Sequence, residues 1–135
     1  MRSPAHAAHA RATHARTYPG RPDQIRAVRA DLRALLAGSP LADDAILAAS
    51  ELAANAALHS NSCHPGGSFT VRAEIHPGHH IRIEVDDNGG PWTEPEPHPD
   101  RPHGLDIIRA LTTDWGVRDT TTGRTAWSQL RWPAT

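Results

Sequence analysis

Apolar positions recur at two different periods along the chain, and the places where the period changes mark its elements. Ile25, Val28, Leu32, Leu35 and Leu36 follow helical spacing; Pro22-Asp23 opens this run and Gly38-Ser39-Pro40 ends it. A second helix starts at Asp43 or Asp44 and runs to about His59, with Ala48, Leu52, Ala56 and Ala57 on its apolar side. Glu51 and Asn55 lie four apart in that run, so both project from one face. The period then drops to two. Residues 69–75 and 81–85 read as the arms of a hairpin around Pro77-Gly78, with Ile81, Ile83 and Val85 inward and Arg82, Glu84 and Asp86 outward. The second arm breaks at Asp87-Asn88-Gly89-Gly90. Residues 88–103 contain Pro91, Pro95, Pro97, Pro99 and Pro102 and fit neither helix nor central strand. A third helix is expected over residues 104 to about 113, followed by two strands, 115–118 and 125–131, that pair with each other. Near the start, residues 15–18 read as a short edge strand. Residues 1–12 are Ala/His/Arg-rich without turn or strand patterning and read as a disordered tail. Three helices and a mixed sheet of four or five strands make a two-layer α/β sandwich, a single domain over residues 13–135.

Composition narrows the chemistry. At 135 residues the chain has room for one domain with one core. Its formal net charge of −1 implies no polyelectrolyte partner, so direct nucleic-acid binding is not expected. All fourteen basic residues are arginine. Without lysine there is neither a Walker lysine nor a Schiff-base lysine, and any nucleotide site must be of another design. The one cysteine, Cys63, cannot form an intramolecular disulfide, which fits a reducing cytoplasm. No apolar run approaches the length of a membrane span or resembles a secretory signal. His6, His9 and His14 have no cysteine or carboxylate near them, so a solvated tail explains them better than a metal site.

Two stretches carry candidate chemistry. In Ser50-Glu51-Leu52-Ala53-Ala54-Asn55, asparagine is a poor helix former, so its place one turn from Glu51 reads as functional. Its amide oxygen suits a hard cation such as Mg²⁺. Asp87, at a strand end before a glycine pair, suits hydrogen-bond acceptance from an amino group. Asp87-Asn88-Gly89 is also an ordinary hairpin signal, but Pro91 and the proline-rich segment stand where the returning strand would be. Together the two stretches suit a nucleotide–Mg²⁺ site.

The same residues carry a resemblance to a known family. Glu51-Leu52-x-x-Asn55-Ala56-x-x-His59-Ser60 resembles the N box of the GHKL ATPase superfamily, which includes gyrase and the histidine kinases. Asp87-x-Gly89-Gly90 resembles its G1 box, and His103-Gly104-Leu105-Asp106-Ile107-Ile108 a reduced G2 box. Within the superfamily the chain is most similar to the small anti-sigma-factor serine/threonine kinases of high-GC bacteria. It shares their order of boxes through Trp115-Gly116-Val117 and Gly123-x-Thr125-x-Trp127, over roughly residues 13–131. The resemblance implies a mostly antiparallel sheet covered on one face by three helices, and ATP and Mg²⁺ as ligands. It implies Glu51 as the general base, Asn55 as the Mg²⁺ ligand and Asp87 as the acceptor for the adenine amino group. Gly89 would let the backbone approach the base, Gly104 and Leu105 would meet the phosphates, and Thr125 would support adenine through Asp87 and water. His59 has either a structural role at the helix end or a phosphate contact. The implied partners are a sigma factor and an antagonist protein, with a homodimer possible and Arg26 and Arg29 placed where the family often carries partner-contacting arginines.

One departure from the pattern keeps a second reading open. The usual Gly-x-Gly before leucine is Pro102-His103-Gly104 here. Proline offers no N–H to a phosphate and cannot adopt positive φ. The alternative is therefore a module that holds nucleotide without transferring phosphate. A detached histidine kinase ATPase module is a third reading, weakened because no phosphoacceptor helix pair precedes residue 20.

Overall fold

The computed structural model describes residues 12–90, 108 and 110–132. Five strands form one sheet: β1 (Ala12–Pro19), β2 (Ser68–His76), β3 (His80–Asp87), β4 (Asp114–Asp119) and β5 (Arg124–Arg131), in the order β1-β2-β3-β5-β4. Two α-helices precede β2, α1 (Ile25–Leu35) and α2 (Ala42–His59), and short 3₁₀ turns stand at Pro22–Gln24 and Asn61–Cys63. The sheet was expected to be mixed but mostly antiparallel; all four described pairings are antiparallel. Each hairpin supplies its own antiparallel neighbour, and β5 inserts between β3 and β4 without a parallel crossover.

The alternation read from the sequence puts one face of the sheet against the helices. Phe69, Val71, Ala73, Ile81, Ile83, Val85 and Leu130 are buried on that face. Val28, Leu32 and Leu36 meet it from the α1 side, and each such buried side chain contributes about 1.5–3 kcal/mol. α2 buries Ala45, Ala48, Ala49, Ala53, Ala56 and Ala57. Six alanines allow the helix to approach its neighbours closely, across β3 and beside α1. Asp43 and Asp44 in its first turn favour the positive end of the helix dipole.

β1 is longer than the expected 15–18. It pairs over its whole length, from Ala12 opposite Ile75 to Pro19 opposite Ser68, so Ala12 belongs to the sheet and not to the tail. Residues 1–11 lie outside the described residues. An edge strand with polar inward positions is held here by side-chain bonds. The Tyr18 hydroxyl donates to Asp31 Oδ2 at 2.6 Å, and Arg16 reaches the same oxygen at 2.8 Å. Tyr18 also stacks on Phe69, with ring centroids 5.5 Å apart. Burial, followed by the Asp31 contact, raises the Tyr18 pKa and keeps the phenol a neutral donor.

Of the expected third helix, residues 108, 110 and 111 are described and helical, with Ile108 fully buried. The chain leaves the helix at Thr112, whose N–H and hydroxyl both donate to the Ile108 carbonyl. The proline-rich segment and the expected start of this helix, including Gly104 and Leu105, lie outside the described residues. No helix among the described residues is long and apolar enough to cross a membrane.

Candidate nucleotide site

The end of β3 is built as a clamped turn. Asp87 continues the inward alternation of Ile81, Ile83 and Val85, and its Oδ1 accepts the Gly89 N–H at 2.6 Å. This self-contained turn requires positive φ at Gly89 (70°) and Gly90 (103°). Space is tight as well. A Cβ on Gly90 would sit 2.6 Å from the Asn61 side chain, and one on Gly89 would meet the Gly123 backbone at 3.2 Å. The turn is thus pressed between the exit of α2 and the start of β5.

Three hydrogen bonds fix it to the loops around it. The Asn61 N–H donates to the Gly89 carbonyl at 2.7 Å, and the Asn88 N–H donates to Ser62 Oγ at 2.8 Å. Asn88 Oδ1 in turn accepts the Ser68 N–H at 3.1 Å. Ser62 is fully buried, and its own N–H is held by Ser60 Oγ, which donates back to the Ala56 carbonyl. The C-terminal end of α2 and the Asp87 turn therefore form one hydrogen-bonded unit. Sequence reasoning missed this role of Ser60-Asn61-Ser62. Its available signal was the run of short polar residues directly after a helix, which favours side-chain-to-backbone bonding.

Glu51 and Asn55 lie on the helix that leads into this unit. Both are half-buried, one turn apart, on a stripe shared with the exposed Leu47 and Leu58. Neither side chain makes a hydrogen bond to another described residue. A helical asparagine with an uncommitted amide and a neighbouring carboxylate is an arrangement able to meet a cation and a hydroxyl. Among the described residues no cluster of three or more His, Cys, Asp or Glu side chains is placed to hold a metal ion. A cation at Asn55 would thus need most of its ligands from elsewhere, as Mg²⁺ commonly takes them from phosphate oxygens and water. Gly20, tucked against the Ser62 carbonyl, ties the start of the chain to the same loop.

Thr125 does not support Asp87. The β3–β5 register pairs Thr125 with Asp86 and places Arg124 opposite Asp87. The Thr125 hydroxyl donates to Asp86 Oδ1 at 2.6 Å on the helix-free face, where Arg72 joins Asp86 at 2.9 Å and Glu84 at 2.7 Å. Counting residues in Gly-x-Thr gave the wrong strand face, because a shift of one residue turns a side chain over. Arg29 is likewise committed: its Nε donates to Ser50 Oγ at 2.9 Å, which ties α1 to α2.

Burial raises the Asp87 pKa; the Gly89 N–H and the nearby charge of Arg124 act in the opposite direction. Among the described residues no hydrogen bond reaches its second oxygen. Two clefts flank the β4–β5 turn beside it. One, of ≈360 Å³, is lined by Asn88, Gly89 and Gly90 on one side and residues 119–124 on the other. The second, of ≈340 Å³, includes Asp86, Asp87 and Arg118. Both reach the lower part of the roughly 300–1,000 Å³ range of small-molecule sites. A larger cleft, ≈680 Å³, lies between Thr17–Arg21 and Cys63–Ser68, away from Asp87 and without a carboxylate in its lining.

The model of the histidine kinase-like ATPase domain matches residues 18–129. No curated protein matches. Among solved structures, the chain is similar to the RsbU and RsbW domains of Rv1364c from Mycobacterium tuberculosis, with a TM-score of 0.68 at 23% identity. That alignment covers 89% of this chain and 32% of the other, so this chain spans about a third of the solved protein's length. At this identity the likeness establishes the fold.

Proposed function

Since the chain belongs to the family of histidine kinase-like ATPase domains, we propose that it binds ATP with Mg²⁺ and acts as an anti-sigma-factor serine/threonine kinase. In this reading it sequesters a sigma factor and phosphorylates a serine or threonine of an antagonist protein. One observation carries the nucleotide assignment: the Asp87–Gly90 turn is hydrogen-bonded to the exit of the helix that bears Glu51 and Asn55. The free carboxylate oxygen of Asp87 would accept from the adenine amino group, and the glycine backbone would lie under the base. Asn55 would hold Mg²⁺, which neutralises phosphate charge when bound. Glu51 would take the proton of the incoming hydroxyl as its oxygen bonds to the γ-phosphorus and the bond to ADP breaks. The likeness to the RsbU and RsbW domains of the solved protein supports the fold on which this reading rests.

The carboxylate assignment has its own test. Asp87→Asn is nearly isosteric but can present a donor where adenine needs an acceptor. In competition binding, its preference for ATP over GTP is expected to shrink relative to the wild type. Unchanged ATP selectivity would leave Asp87 as a turn residue only.

The kinase assignment is tested by incubating the protein with labelled ATP, Mg²⁺ and the antagonist-like protein encoded nearest to it. Labelled phosphoserine or phosphothreonine on that protein is the expected product. Pro102, in place of a glycine, favours the second reading of a silent nucleotide-binding module. Pro102→Gly separates the two when the wild type is inactive. Rescued transfer identifies a kinase impaired by Pro102, and continued silence with ATP still bound identifies the binding module.

A further inference from the structure

Arg124 occupies the position across from Asp87, and its surroundings are unusual for an arginine at the start of an edge-proximal strand. Its side chain is only 10% exposed. Nη2 donates to the Gly90 carbonyl at 2.5 Å, thirty-four residues away, and Nε donates to Asp119 Oδ1 at 3.1 Å. Asp119 itself is 81% exposed, and an ion pair with so solvated a partner contributes little. The bond to Gly90 is of a different kind, because a charged donor to a partly buried carbonyl is among the stronger hydrogen bonds. It holds the glycine turn from the β5 side, while Asn61 and Ser62 hold it from the α2 exit. Gly123 completes the arrangement, since a Cβ there would lie 2.0 Å from the Asp87 carbonyl oxygen. The strand can approach the turn closely only with glycine at 123, and this delivers Arg124 to its place.

We propose that Arg124 is the positioning residue of the base-recognising turn: it locks Gly89-Gly90 through the Gly90 carbonyl and sets its positive charge against the Asp87 carboxylate. The inference rests on the nucleotide reading above and deepens it, because the site then contains a built-in counter-charge for its acceptor. Among the described residues, the charged groups that act on Asp87 are Arg124 from β5, Asp86 beside it on β3 and Asp119 from the end of β4. Arg72 of β2 and Arg118 of β4 line the same cleft. The α2 exit contributes Asn61 and Ser62, which do not titrate, and Glu51 of α2 is not among the groups that shift Asp87. Of these, Arg124 is the cation that favours the ionised carboxylate against burial. With it removed, burial and the two acidic neighbours act with less opposition. The Asp87 carboxyl then titrates at higher pH, and its acceptor strength is lost sooner on acidification.

The experiment compares wild type, Arg124→Met and Arg124→Lys by ATP titration across acidic to neutral pH in Mg²⁺. The Asp87 carboxyl ¹³C resonance is followed in the same samples without nucleotide. Arg124→Met keeps the apolar stem and removes the charge and the donors. It is expected to lower ATP affinity by about tenfold or more at neutral pH, the scale of one lost charge-assisted hydrogen bond. Its acid limb of binding and its Asp87 titration both move to higher pH. Arg124→Lys keeps the charge and loses the guanidinium fork, so its Asp87 titration stays near that of the wild type while its ATP affinity falls. A purely structural arginine would lower affinity without moving the Asp87 titration. An Arg124→Met protein whose Asp87 titrates at the wild-type pH overturns the proposal, whatever its affinity. If Arg124→Met does not fold, Arg124→Gln retains a donor for Gly90, removes the charge and makes the same comparison. Wild-type protein that binds no ATP would overturn the nucleotide reading instead, and the Asp87 titration would still decide the role of Arg124.

Discussion

Glu51→Gln is expected to abolish phosphate transfer to the antagonist protein while ATP affinity stays nearly unchanged. Positioned base catalysis contributes about 10²–10⁴-fold to rate and nothing to ground-state binding. The amide keeps the size and polarity of the carboxylate, and Glu51 makes no hydrogen bond to another described residue that the change would break. Its half-buried position on the stripe of α2 also leaves the alanine side of the helix intact. The readout is the single-turnover rate of phosphoprotein formation, paired with an ATP titration of the same variant. Transfer at the wild-type rate would reduce Glu51 to a polar residue on a helix face.

Asn55→Ala should act on the other half of the chemistry. Alanine is the better helix former, so the apo protein is expected to melt at or slightly above the wild-type temperature. The lost amide oxygen would remove the proposed ligand from the cation, and ATP affinity in Mg²⁺ is expected to fall at least about tenfold, or roughly 1.4 kcal/mol. Removal of Mg²⁺ by chelation should narrow the gap between variant and wild type, because both then lack the metal that Asn55 would hold. Equal affinity in Mg²⁺ would exclude Asn55 as a ligand.

The parts of this molecule legible in its sequence are those where burial is periodic. α1 and α2 show the helical period, and the β2–β3 hairpin alternates because one face meets α2 while the other carries Arg72, Arg82, Glu84 and Asp86. β1 was under-read for the opposite reason. Its inward positions include Arg16 and Tyr18, held by Asp31 through hydrogen bonds, so no apolar alternation marks the strand. The glycine turn was legible too, since two adjacent glycines after an aspartate have few other uses.

Its surroundings were not. Which residue faces Asp87 depends on the register of β5 against β3, a long-range pairing that local spacing cannot fix. The motif count therefore selected Thr125, which bonds Asp86, and passed over Arg124. The clamp from Asn61 and Ser62 joins residues more than twenty-five positions apart and leaves no periodic trace. Gly104 and Leu105, assigned to phosphate from the motif, lie outside the described residues and remain sequence-based expectations.

All of these assignments depend on one property, Mg²⁺-assisted binding of ATP at the Asp87–Asn55 site. Isothermal titration of the wild-type protein with ATP, once in excess Mg²⁺ and once in excess EDTA, measures it directly. The account predicts saturable binding near one ATP per chain in Mg²⁺, weakened when the metal is removed. Absence of saturable ATP binding in Mg²⁺ would contradict it.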